Sequence, residues 1–306
     1  YSSLIREVFE VTEDKDWLAN HLKTAIKEYE TVWMVQGKRL TDSGLNRYRA
    51  EGIGVTTECE KGHYDAALKP YAEAHGISID EYVALYQNGE IINEALDTYF
   101  IHDRSLRESG HDTSWRLDDI CADLNTVALN SFLYKYEADF AQLIAQYFDG
   151  EFEGYTQDYW VERMNNRAHL MNTLMWNSKQ QQYFDYNFRT KSQAEFESAS
   201  NYFPLWAGFV ETDKVSGMVR TMMKDLKEEG GIAGTSRVMN ANLPKGAVQR
   251  QWDYPNGWAP HQMLIWRGLK NYGFDTELQE LVYRWLFMIT RNAVDYNGTI
   301  PEKYDV

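Results

Sequence analysis

Cysteine is scarce. Only Cys59 and Cys121 occur in 306 residues, too few for the disulfide framework of a small secreted domain, and neither stands at a metal-ligand spacing. A reducing compartment is the mild preference. Positive charge is also short: 31 Lys and Arg face 46 Asp and Glu, a formal charge of −15. Nucleic-acid binding draws most of its affinity from basic side chains, so this balance argues against a phosphate-backbone partner and favours a neutral ligand. No apolar run approaches the roughly 20 residues of a membrane helix, so no membrane partner is expected. No His, Cys or carboxylate cluster has metal-ligand spacing, which predicts a metal-free reaction. There is no fixed period either, which argues against a helical-repeat scaffold. A charged-then-apolar leader is missing too; the chain opens at Tyr1 and stops at Val306. Both ends read as cut, leaving open a targeting signal outside the chain.

What is present is apolar and aromatic material: 43% hydrophobic residues, with 10 Trp and 21 Tyr. Large rings can fill a helical core or line a sugar site. Without a visible linker, residues 1–306 read as one domain. Leu18, Leu22, Ala25, Tyr29, Val32 and Trp33 form an apolar stripe at helical spacing. Ser78 with Glu81 predicts a capping box, with Gly89 as the stop. A long helix is expected to start around Ile120 and Leu124 and run toward Phe148, and another to span about 157 to 176. Asp275 is expected to cap the last helix, ended by Asn297-Gly298. The strand material is Gln182 to Tyr186, read as part of a short β-hairpin. Extended connectors over 36–70 and 230–260 suggest a bundle whose loops gather at one functional end.

Three loops have compositions unusual for turns. They are Arg107-Glu108-Ser109-Gly110-His111-Asp112, Gln251-Trp252-Asp253-Tyr254-Pro255-Asn256-Gly257-Trp258-Ala259-Pro260, and Pro301-Glu302-Lys303-Tyr304-Asp305. Gly110 lets backbone approach a ligand closely. Taken singly each has a plainer reading: Asp112 as a cap, Glu302 as a solvated carboxylate, the tryptophans as plugs beneath loops. Spacing alone does not choose.

The segment QWDYPNGWAP resembles the second signature of the trehalases, and RESGHD at 107–112 and EKYD at 302–305 match two further blocks of that family in the same order. LNSFLYKYE at 129–137, YRWLFM at 283–288 and VDYNG at 294–298 resemble the fungal cytosolic neutral trehalases. The resemblance covers essentially the whole chain. It implies an all-α fold, an (α/α)6 toroid incomplete at both ends, in a single partial catalytic domain. It also implies hydrolysis of α,α-trehalose to two glucose molecules with inversion, in the cytoplasm. Carried over by motif, Asp112 is the general acid and Glu302 the general base. Glu58, Arg107, Gly110, Gln251 and Trp252 are substrate contacts by the same resemblance. No cofactor is implied for this chain. A calcium-binding loop, and a regulatory protein acting on it, would belong to an amino-terminal extension outside it.

Chemistry makes the carboxylate pair sensible, because inversion needs one protonated and one ionised carboxyl on opposite sides of the scissile bond. Asp112 must then hold its proton near neutrality, which the sequence attributes to burial and to repulsion from Glu58. Arg107 is expected to grip sugar hydroxyls, Trp252 to offer an apolar face and Gln251 a donor and an acceptor. His111 reads as a bystander, and His102 and His261 as structural. The first trehalase signature, an upstream Arg-Ser-Gln block and the segment after EKYD are not in the chain, which predicts weak activity or none for the segment alone. Two other readings stand beside this one: another inverting α-glycosidase or phosphorylase on the same toroid, and a sugar binder without catalysis.

Overall fold

A computed structural model describes residues 1–306 apart from Glu58. Helix α1 (Ser2–Thr12) is followed by α2 (Lys15–Glu28), whose apolar stripe continues through a π-helical turn at Tyr29–Trp33. Asp14 caps α2 by accepting from the Trp17 amide at 2.9 Å. A small lobe follows: α3 (Asp65–His75), α4 (Ile79–Gln87) and α5 (Glu94–Glu108). The capping expectation holds at α4, where the Ser78 hydroxyl accepts from the Glu81 amide. The lobe has its own core of Leu68, Tyr82, Tyr86, Leu96 and Phe100.

The long central helix starts later than its periodicity suggested. Residues 121–123 form a 3-10 turn and Leu124–Asn125 a short strand, β1, before α6 spans Val127–Tyr147. Thr126, whose hydroxyl accepts from the Leu129 amide, sets that start, because a capping side chain supplies what the first-turn amides lack. Helix α6 is buried on nearly every side. It packs against α1, α7 (Gln157–Leu174) and α8 (Phe203–Ala207). The hairpin β2 (Glu151–Phe152) with β3 (Tyr155–Thr156) joins α6 to α7.

The expected strand run at 182–186 is split. β5 (Gln182–Tyr183) pairs with β4 (Trp176–Asn177), whereas β6 (Asp185–Asn187) is the middle strand of a sheet between β1 and β7 (Ser192–Ala194). The remaining elements are α9 (Thr212–Asp225), α10 (Arg237–Ala241), β8 (Asn256–Trp258), α11 (Ala259–Asn271), α12 (Asp275–Asp295) and β9 (Lys303–Asp305). Helix α11 packs on α8 and α12. Asp275 is not the cap of α12 but its first helical residue, Phe274 holding the cap position; its carboxylate meets the positive end of the helix dipole instead. Pro70, placed by sequence at the end of a connector, lies inside α3.

A buried polar network joins the layers. Glu137 on α6 accepts from the Tyr29 hydroxyl at 2.5 Å and from Arg167 Nε on α7 at 2.9 Å. Arg167 Nη1 donates to Asn46 Oδ1 and Asn130 Oδ1, each at 2.8 Å. Because Arg167 and Glu137 are both almost wholly enclosed, removing one charge strands the other. Arg167→Met should therefore destabilise the fold by about 3–5 kcal/mol. Urea unfolding reads this as a lower midpoint with an unchanged slope.

Candidate active site

Helix α5 delivers the first loop. Glu108 at its end is pinned by Arg39 and by the Arg49 amide, which donates to Glu108 Oε2 at 2.7 Å. Gly110 then takes φ +76°, a left-handed turn that glycine adopts without strain, and the His111 amide donates to Ser109 Oγ at 3.1 Å. Arg107 sits beneath this turn. Its Nε donates to Asp103 Oδ2 at 3.0 Å and to the Tyr64 hydroxyl at 3.2 Å, while Nη1 faces Asp112 Oδ2 at 3.9 Å.

The second loop is sewn to the first. The Trp252 amide donates to the Thr113 carbonyl at 3.1 Å. Asp253, 1% exposed, accepts from Ser114 Oγ at 2.6 Å and from the Trp115 amide at 2.7 Å. Burial pushes the Asp253 carboxyl above its usual range, and these two donors oppose that shift. Next to them Arg116 Nη1 meets Asp185 Oδ2 at 2.6 Å, and Asp185 Oδ1 accepts from the Val127 amide at the start of α6. The 112–116 loop is thus fixed to the small sheet and the central helix.

The third segment arrives as an edge strand. β9 pairs antiparallel with β8, setting Trp258 against Lys303 and Gly257 against Tyr304. Gly257 is required here, since a Cβ would run into the Val306 side chain. Glu302 immediately precedes β9 and is exposed. Gln251 connects the two ends of the site: its Nε2 donates to the Asp112 carbonyl, and its Oε1 accepts from Lys303 Nζ at 3.3 Å. Trp252 stacks on Trp258 with centroids 3.9 Å apart and planes 6° apart, and Lys303 Nζ lies 5.2 Å from the centre of the Trp258 ring.

Of the seven residues singled out by sequence, Arg107 lies in the last turn of α5 and five others on the three loops that meet beside it; Glu58 falls outside the described residues. One expectation changes: the Asp112 side chain is not buried here but 43% exposed. Arg107 has Asp103 as its main partner within the chain. Sequence reading missed Asp253, Ser114 and Arg116. Asp253 lies inside the QWDYPNGWAP segment, so its position was visible but its partners were not. His102 is buried and its Nδ1 accepts from the Ala122 amide at 3.2 Å, a structural role as expected.

The trehalase family model matches residues 1–306. The chain belongs to the trehalase family. It is 42% identical over 306 residues to the cytosolic neutral trehalase of Neurospora crassa, covering 95% of this chain and 41% of that protein. Against the cytosolic neutral trehalase of Saccharomyces cerevisiae the identity is 41%, over 95% of this chain and 40% of that protein. The chain therefore spans about two fifths of the length of these curated relatives. The solved neutral trehalase structure from S. cerevisiae superposes with a TM-score of 0.95 at 40% identity, over 99% of this chain and 57% of that one. A mannosylglycerate hydrolase from Thermus thermophilus, 15% identical with a TM-score of 0.59 over 99% of this chain and 69% of that one, shares the fold alone. The helical architecture of this trehalase-family chain is that of an α/α toroid. No helix among the described residues is long and apolar enough to cross a membrane, and no group of three or more His, Cys, Asp or Glu among them could hold a metal ion.

Behind Trp252, His111 and His261 bring their Nε2 atoms to 3.1 Å of each other. Burial, and then the Arg116 guanidinium, push His261 down to about 3, and the same two causes with His261 itself push His111 well below its ordinary value. A buried imidazole that stays neutral contributes stability that is complete above the unfolded value of about 6.5 and is lost as pH falls below it, because the unfolded chain then binds the extra proton. Lowering the pH from 7.5 to 5 should therefore weaken the fold, and His261→Phe should remove about 2 kcal/mol of that loss. Chemical denaturation of both proteins at the two pH values measures the difference.

Proposed function

We propose that this chain carries the acid and the base of a hydrolase that splits α,α-trehalose into two glucose molecules, inverting one anomeric carbon. The observation that carries the reading is the Gln251 bridge, one side chain touching the backbone of Asp112 and the neighbour of Glu302. Residues remote in sequence are tied to one cleft edge by it. The names of the relatives support the choice of disaccharide and a cytoplasmic place.

In this scheme Asp112 protonates the glycosidic oxygen while Glu302 takes a proton from a water that attacks the anomeric carbon from the opposite face. The C–O bond breaks toward the protonated oxygen. One glucose leaves with its α configuration and the other appears as the β anomer. The two carboxyls of an inverting enzyme stand roughly 6.5–9.5 Å apart to admit that water. A sugar seated over Asp112 would cover its exposed carboxyl, which Arg107 Nη1 faces at 3.9 Å. Trp252, with one face on Trp258, offers its other surface to sugar C–H groups; Arg107, Gly110 and Gln251 line the same edge. Glu58 joins them by motif alone. The protons pass through the two carboxylates and water, so no cofactor enters the scheme.

Glucose release from trehalose tests the reading. Asp112→Asn and Glu302→Gln should each lower kcat by at least about 10²–10⁴, while trehalose affinity stays within a few fold. Proton NMR of the first products should show α- and β-glucose in equal amounts. Unchanged turnover in Asp112→Asn, or two α-glucoses, would sink the mechanism. Preference for maltose over trehalose would move the chain to another inverting glycosidase.

A further inference from the structure

The Asp112 loop has two kinds of anchor. Gln251, Trp252 and Asp253 tie it to another loop. The other kind reaches regular elements: Arg107 of α5 faces Asp112 at 3.9 Å, Arg116 meets Asp185 on β6, and His111 Nε2, adjoining Asp112 in sequence, faces His261 Nε2 on α11 at 3.1 Å. His111 is 8% exposed and His261 2%. Trp252 packs on both rings, with centroids 4.8 Å and 5.1 Å away, Phe203 closes over His261 at 5.7 Å, and Ser200 Oγ lies 3.5 Å from His111 Nε2.

Two nitrogens at this separation attract only if one carries hydrogen and the other a lone pair. The charged group that acts on both rings is Arg116, already paired with Asp185, while Ser109 and Ser200, Trp252 and Phe203 present no charge to them. An imidazolium here would be buried beside a guanidinium, so both rings remain neutral. Neither Nδ1 has a partner among the described residues; the contact between the two Nε2 atoms is what selects complementary tautomers.

We propose that His111 and His261 form a neutral latch of complementary tautomers that holds the Asp112 loop on α11, which makes His261 a positioning residue for Asp112. Its catalytic meaning rests on Asp112 being the acid; the latch itself does not. Neighbouring Cα atoms are about 3.8 Å apart along the chain, so movement of His111 off α11 carries Asp112 with it. The helix partner adds to the Arg116–Asp185 anchor farther along the loop, because the ties to Gln251 and Trp252 share the motion of their own loop.

Long-range ¹H–¹⁵N NMR of the histidine-labelled chain tests the latch. One of the two rings should be protonated at Nε2 and the other at Nδ1, with neither titrating between pH 7.5 and 5. The same tautomer in both, or a midpoint near the ordinary histidine value, overturns the proposal. Hydrogen exchange supplies the positioning readout. In His261→Leu, amides of 111–116 should exchange at least tenfold faster while those of α6 stay unchanged. His261→Gln, which restores an N–H donor at a similar reach, should return them toward the parent rate. An unchanged loop, or faster exchange throughout α6 as well, reduces the pair to ordinary core packing and overturns the latch. Should His261→Leu fail to fold, the tautomers of the parent chain decide. None of these measurements reads turnover, so the latch can fail without touching the acid assignment, which Asp112→Asn decides.

Discussion

The buried ion pair between Arg116 and Asp185 is the constraint on which the site depends. A charge enclosed to 3% of its surface is tolerable only with its partner in place. Asp185 uses both oxygens, one on Arg116 and one on the first amide of α6, so a carboxylate also occupies the positive end of the longest buried helix. The pair decides where the chain after Asp112 can run. It also sets the local electrostatics, since the guanidinium discourages positive charge on His111 and His261 and favours the charged form of Asp253.

From that anchor outward the site is assembled in steps of decreasing enclosure. Asp253 is buried and satisfied by Ser114 and Trp115. Gln251 and Trp252 are half-buried, and Asp112 and Glu302 reach solvent. The supporting groups are buried where the proposed acid and base are open, the order a site needs if side chains are to meet a ligand without collapsing on one another. The edge pairing of β8 with β9 adds a backbone constraint to the Glu302 side that no loop would provide.

Helical elements with a strong apolar stripe were legible in the sequence, as were Ser78 as a cap and the three segments that the structure brings together. Where reading failed, a single local interaction had overruled a longer pattern. Ile120 and Leu124 have helical spacing with Val127, yet the Thr126 cap and the pairing of Leu124 with Asn187 end that register. The 182–186 run alternates like one strand, but Phe184 separates β5 from β6 and sends them to different sheets. For the site, motif residues were visible because unusual side chains cluster in short segments. Their supports were not: Asp253 with Ser114, Arg116 with Asp185 and His111 with His261 join positions far apart in sequence by contacts that only the folded chain defines. The open setting of Asp112 was likewise beyond composition, because exposure belongs to the cleft and not to the residue.

Helix α5 belongs to two cores at once. Leu96 and Phe100 are packed in the small lobe, while Leu106 is packed in the main body, and the helix ends at the turn bearing Gly110. Fifteen residues of continuous helix, about 22 Å long, join those cores. A continuous helix carries the position of its first turn to its last, so the packing of Leu96 and Phe100 in the lobe helps to fix where Arg107 and the Gly110 turn stand.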